Sequence, residues 1–187
     1  MIGAEKRSGA DGAVGAALGM VNQLIKLNAE RAKRGEVPIA IGAGIHLGQL
    51  MIGTIGGGEQ LDGGVIGDVV NAAARIEGMT KMYGARLLLS GDVVAGLDKV
   101  RPTLRHLDVV KAKGKTESTA IYEILDADED VALKRETLQL FTDAQRLYKA
   151  GDFKGAVAGF DAVLAIHPRD GAARLLRERC QELNETG

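Results

Sequence analysis

The sequence predicts an α+β domain followed by a small all-α tail. Three observations carry that prediction. Helical and strand periodicities alternate from residue 12 to about residue 125, and only helical periodicity follows. Ten of the 26 glycines fall between Gly42 and Gly67, whereas Phe141, Tyr148, Phe153 and Phe160, four of the six aromatics, fall in the last quarter. An acidic run, DADED at 126–130, separates the two compositions. The expected units are therefore 1–125, an acidic linker at 126–130, and a helical tail at 131–187.

The elements follow in order. Residues 12–34 repeat Val14, Leu18, Val21 and Ile25 at helical spacing, with Asp11 as N-cap and Arg31, Lys33 and Arg34 ahead of Gly35. Pro38 blocks continuation. IAIGAGIHL, 39–47, places Ile39, Ile41, Ala43, Ile45 and Leu47 on one side and small residues on the other, which predicts a strand that another element can approach closely. After a turn at Gly48, QLMIGTI predicts a second strand and a hairpin with the first, and GGGEQLDGG a loop. Residues 67–82 predict a helix closed by Tyr83-Gly84. RLLLS predicts a short buried strand, with Ser90 capping a helical turn through Leu97. RHLDVVKAKG and TAIYEIL are two more strands joined by a basic turn. The domain starts on a helix with no preceding strand, so it reads as incomplete at that end.

In the tail, two helices break at Gly151-Asp152, with Ala144, Leu147, Ala156, Phe160 and Leu164 as packing positions before Pro168. A third amphipathic helix carries Ala172, Leu175 and Leu176. Length and the small, large and proline positions resemble one tetratricopeptide repeat. A lone repeat cannot bury its face, so it is expected to lean on the preceding domain or on a partner.

Composition removes several function classes. A formal net charge of −1 gives no electrostatic reason to bind nucleic acid or an acidic membrane. No apolar run approaches the length of a membrane span, and a single Cys180 cannot form an internal disulfide, which together predict a cytoplasmic chain. GKT at 114–116 is not a phosphate loop, because the earlier glycine it needs falls on Val109 and a strand–strand turn surrounds it. No G-x-G-x-x-G frame fits the glycines from 42 to 67. His46, His106 and His167 are isolated from other metal-ligand types, so His46 reads as a hydrogen-bonded turn histidine.

The stretch GGVIGDVVNAAARIEG, 63–78, is the candidate site. Asp68, Asn71 and Arg75 fall at i, i+3 and i+7 on one helical stripe. On spacing alone Asp68 caps, Asn71 fills the first turn and Arg75 pairs with a carboxylate.

The motifs G-I-H-x-G, V-I-G-D-x-V-N-x-A-A-R and K-G-K followed by a short strand occur in that order. Together they closely resemble the class III adenylate/guanylate cyclase catalytic domain, over roughly residues 10–125. The resemblance implies the remnant of a ferredoxin-like sheet and a reaction converting ATP or GTP to a 3′,5′-cyclic nucleotide and pyrophosphate. It implies that Asn71 orients the ribose and Arg75 stabilises charge developing on the α-phosphate. Lys113, or its neighbours Lys111 and Lys115, would hold the triphosphate. Gly64 takes the place of a base-reading residue and offers no side chain. The family's two metal-binding aspartates belong to strands before the first helix here. The chain is therefore expected to hold no ligand for the Mg²⁺ or Mn²⁺ of the full-length enzyme and to be inactive alone. The resemblance further implies a homodimer, in which this part supplies the ribose- and phosphate-orienting half of an interface site. The competing expectation is a catalytically degenerate scaffold that binds a protein partner through its tail.

Overall fold

The computed structural model describes residues 2–49, 51–55, 62–66, 68–111 and 118–186. Its centre is a four-stranded sheet of order β1-β4-β6-β5, formed by β1 (Ala43–Ile45), β4 (Leu87–Ser90), β5 (Leu104–Lys111) and β6 (Ser118–Ile124). β1 runs parallel to β4, and the other pairs are antiparallel. Strand alternation sends consecutive leucines of β4 to opposite sides. Leu87 and Leu89 pack with Val14 and Val21 of α1 (Ile2–Lys33) and Val93 of α3 (Gly91–Gly96). Leu88 joins Ile76 of α2 (Asp68–Tyr83) and Phe141 and Phe160 of the tail. The result is three layers with the sheet in the middle, an arrangement of mixed α/β kind.

Three expectations about the first half are corrected. The first helix begins well before residue 12 and runs through Asp11. The Asp11 carboxylate does not cap it, because it accepts backbone N–H bonds from Asp98, Lys99 and Val100, tying α1 to the segment after α3. The hairpin is also elsewhere. β2 (Met51–Ile55) pairs antiparallel with β3 (Asp62–Ile66), which is drawn from the end of the stretch expected as a loop. The strand expected over 39–47 contributes only 43–45 to the sheet. Ile39 is diverted, since its N–H and C=O both bond the Asn28 side-chain amide at 2.8 Å.

The tail consists of α4 (Val131–Glu136), α5 (Leu138–Lys149), α6 (Phe153–Ile166) and α7 (Gly171–Thr186). The break at Gly151 uses φ +81, a left-handed backbone that suits glycine. Asp152 then caps α6 by accepting from the Gly155 N–H at 2.9 Å.

The tail does not stand apart from the sheet. Arg105 of β5 donates to Glu123 of β6 at 2.8 Å and to Asp170, ahead of α7, at 2.5 and 3.2 Å. Lys134 of α4 reaches Glu123 at 2.5 Å and also pairs with Asp128. All but Asp128 are essentially withdrawn from water. Burial alone would lower the Lys134 ammonium, but Glu123 and Asp128 outweigh it and hold the group charged. Asp128 is pushed up, chiefly by burial. The expected acidic stretch thus has partners on both sides, with Asp126 on Thr103 and Arg135, and Asp130 on His167 and Arg169.

Candidate active site

The site is built on α2, and α2 is built on glycine. Gly42, Gly44 and Gly48 alternate along one side of the β1 segment, the side expected to admit a close neighbour. A Cβ on Gly44 would stand 2.8 Å from Ala73 O and from Glu77 Cα. A Cβ on Gly48 would stand 3.0 Å from a Val69 methyl. The backbone of α2 therefore lies directly on the strand, with Ile76, Thr80 and Tyr83 buried beneath it. Gly84, at φ +61, ends the helix as the sequence predicts.

His46 shares the glycine side, by the period of two. Its Nδ1 lies 2.9 Å from Ser90 Oγ, so it is the hydrogen-bonded histidine expected. That contact also explains why Ser90 makes no side-chain cap to α3. The sequence reading missed where the rest of the ring lies. His46 lines a narrow cleft of about 50 Å³ together with Arg75, Ala72 and Met79 of α2 and Val110 and Thr119 of β5 and β6. The alternation with Gly42, Gly44 and Gly48 was the available signal.

Arg75 and Asn71 sit one turn apart on the outer side of α2, both exposed. Neither has a hydrogen-bond or ion-pair partner among the described residues, so Arg75 is not the paired surface residue that spacing alone suggests. Lys113 lies outside the described residues, as do Lys115 and the rest of 112–117. The strands on either side of that segment contribute Val110 and Thr119 to the cleft beside Arg75. Gly64 is in β3, opposite Gly53 of β2. Asp68 begins α2 as its only acidic first-turn residue.

The cleft offers one imidazole and one guanidinium, and its other lining residues carry no carboxylate. Among the described residues no group of three or more His, Cys, Asp or Glu could hold a metal ion. The lining therefore does not fit Mg²⁺ or Mn²⁺, and no chemical step is assigned to a metal held by this part of the chain. An exposed guanidinium with no partner among the described residues, on a helix fixed to a strand, suits a different task, bidentate donation to phosphate oxygens.

Residues 3–125 match the family model of the Adenylate and Guanylate cyclase catalytic domain. The chain belongs to that family. An adenylate cyclase of Anabaena cylindrica is 44% identical over 120 residues, covering 61% of this chain and 24% of the relative. Adenylate cyclase 1 of Rhizobium meliloti is 38% identical over 110 residues, 58% of this chain and 16% of the relative. The chain thus spans about a quarter or less of the length of these curated relatives. Among solved structures, the guanylyl cyclase Cya2 is similar at TM-score 0.50 and 27% identity, covering 63% of this chain and 58% of that one. The adenylyl cyclase CyaB from P. aeruginosa, at TM-score 0.54 and 22% identity, covers 67% and 63% and shows likeness of fold. Among the described residues, no helix is long and apolar enough to cross a membrane.

Proposed function

We propose that this chain is part of a nucleotidyl cyclase, and that it supplies the ribose- and phosphate-orienting half of a site completed by a second subunit. In the reaction the ribose 3′-hydroxyl of ATP or GTP gives up its proton to solvent or to the departing pyrophosphate, its oxygen bonds to the α-phosphorus, and the bond from that phosphorus to the pyrophosphate oxygen breaks. Negative charge builds on the α-phosphate oxygens and the leaving oxygen. Arg75 donates to the α-phosphate oxygens, and Asn71 hydrogen-bonds the ribose so that the 3′-oxygen lies in line. Lys113, or Lys111 or Lys115 beside it, holds the departing phosphates. The metal-binding half is assigned to the other subunit of a homodimer of the full-length enzyme, so this part alone is expected not to turn over nucleotide. Gly64 at the base-reading position predicts weak discrimination between adenine and guanine.

The observation that carries this reading is Arg75, exposed beside a cleft and without a partner among the described residues, on a helix whose backbone is seated on strand glycines. The pair α5–α6, with Gly151, Phe153, Ala156, Phe160 and Pro168 in order, is read as a single tetratricopeptide-like unit. Its Phe141 and Gln145 are buried against the chain's own sheet. That favours an internal role for this face over partner capture.

The test is nuclear magnetic resonance on the ¹⁵N-labelled chain titrated with ATP and, separately, GTP. Shifts are expected at the amides of 71–76, similar for both nucleotides and abolished by Arg75→Ala. Unchanged spectra at millimolar nucleotide would count against the reading.

A further inference from the structure

Three features lie outside the chemistry assigned to α2. The groove between α1 and residues 38–40 is lined by Arg86, whose Nη1 is buried without a partner among the described residues but whose charge is already met by Asp128 and Glu129. The buried ions around Arg105 satisfy one another. The third feature joins the tail to the helix that carries the site.

At the C-terminal end of α2, Tyr83 donates its hydroxyl to Asp108 Oδ2 at 2.7 Å. Arg179 of α7 donates to the same oxygen at 2.6 Å, and its guanidinium lies 5.9 Å from the centroid of the Tyr83 ring. Asp108 reaches this position through a bulge in β5, where His106 pairs with Tyr122 and Asp108 with Ile121, leaving Leu107 extra. The backbone carbonyls at the bulge are claimed by the tail, since Gln145 Nε2 donates to His106 O at 3.0 Å and Leu107 O at 2.6 Å. The start of α7 presses on the same helix end. A Cβ on Gly171 would stand 2.8 Å from Tyr83 O and 3.0 Å from Gly84 Cα. Burial pushes the Tyr83 hydroxyl up, and its bond to Asp108 adds to that, so it remains a donor. Burial also raises the Asp108 carboxyl, but the bonds from Tyr83 and Arg179 prevail and hold it below the usual carboxylate range.

We propose that the tail positions the site: Arg179 of α7, acting through Asp108, locks Tyr83 and so fixes the orientation of the helix that presents Asn71 and Arg75. The inference rests on the reading of Arg75 as a phosphate ligand. Tyr83 is two turns from Arg75, about 12 Å along a rigid helix, so a tilt of about 5° at the latch moves Arg75 by about 1 Å. A displacement of that size is enough to cost a well-placed group up to about a hundredfold in function. Arg179, Asp108 and Tyr83 are positioning residues and do not touch nucleotide.

The experiment uses the full 187-residue chain and compares Arg179→Met with Arg177→Met. Arg177 lies on the same helix but pairs at 2.5 Å with Asp161 of α6, so its loss removes the same charge without touching α2. Arg179→Met is expected to raise the apparent Kd for ATP, read from the 71–76 amides, about tenfold. It should also speed hydrogen exchange there while α5 and α6 keep their protection. Arg177→Met should do neither, Arg179→Lys should recover part of the affinity, and Tyr83→Phe, which keeps the ring, should shift Kd in the same direction as Arg179→Met. Equal effects of the two methionine variants, or an unchanged Kd in both Arg179→Met and Tyr83→Phe, overturn the proposal. Loss of binding in Arg75→Ala with no change in Arg179→Met removes the latch and leaves the role of Arg75 standing. No change in Arg75→Ala removes both.

Discussion

Replacing Gly44 by alanine puts a methyl group under α2. Its carbon would stand 2.8 Å from Ala73 O and Glu77 Cα, and closer still to the Glu77 nitrogen. Ordinary contact begins at 3.4 Å, so the helix backbone must withdraw by at least 0.6 Å at its least crowded point of contact. The obstructing atoms belong to a hydrogen-bonded backbone and cannot rotate away. The cost is therefore expected toward the upper end of overpacking, about 2–3 kcal/mol. Urea unfolding reads it as a lower midpoint at unchanged slope. The ATP response of the 71–76 amides should weaken in parallel, because the whole helix lifts with its cargo. Gly78→Ala is the control, since a Cβ there meets nothing within 4 Å. It should raise stability by up to about 1 kcal/mol through helix propensity alone. If Gly44→Ala costs under about 0.5 kcal/mol, within the range of ordinary surface changes, α2 is not seated on β1 as described.

Two further outcomes concern the junction of sheet and tail. Lys134→Met removes one cation from the buried group and leaves Glu123 and Asp128 poorly compensated, a loss of about 3–5 kcal/mol in urea unfolding. A change below about 1 kcal/mol would mean that water enters the cluster. Acid should also loosen the junction. Asp108 and Asp170 both titrate below the usual range when folded, Asp108 because the bonds from Tyr83 and Arg179 outweigh burial and Asp170 because Arg105 does. Their stabilisation is present above the unfolded value near about 4 and is lost as pH falls through the lower folded values. Asp128, raised by burial, works with the opposite sign and offsets part of the loss. The urea midpoint should fall from about pH 5 downward, and Asp108→Asn should flatten that slope. An identical slope in the variant would contradict the assignment.

Much of the fold was legible where side chains carried a period. Tyr83 with Gly84 marked the end of α2, and Leu87 to Leu89 marked a buried strand. Glycine hid the rest. Gly63 and Gly64 have no side chains to alternate, so the start of β3 read as a loop and the partner of β2 was missed. The part of α1 before residue 12, with Gly3 and Gly9, gave no apolar stripe. The family motif alone singled out Asn71 and Arg75 as candidates, because spacing alone equally suits a surface helix. The ion cluster and the Tyr83 latch were out of reach for another reason. Arg105 meets Asp170 across 65 residues and Asp108 meets Arg179 across 71, and no local pattern encodes such pairs.

One half of a composite cyclase site should complement a subunit that lacks that half. The chain is mixed, in the presence of Mn²⁺ and ATP, with the catalytic domain of the Anabaena cylindrica adenylate cyclase in which the counterparts of Asn71 and Arg75 are alanine. Cyclic AMP is then measured. The wild-type chain should restore its formation, whereas Arg75→Ala and Arg75→Lys should not, since an ammonium cannot reproduce bidentate donation. No restoration by the wild-type chain, or equal restoration by Arg75→Ala, would contradict the account.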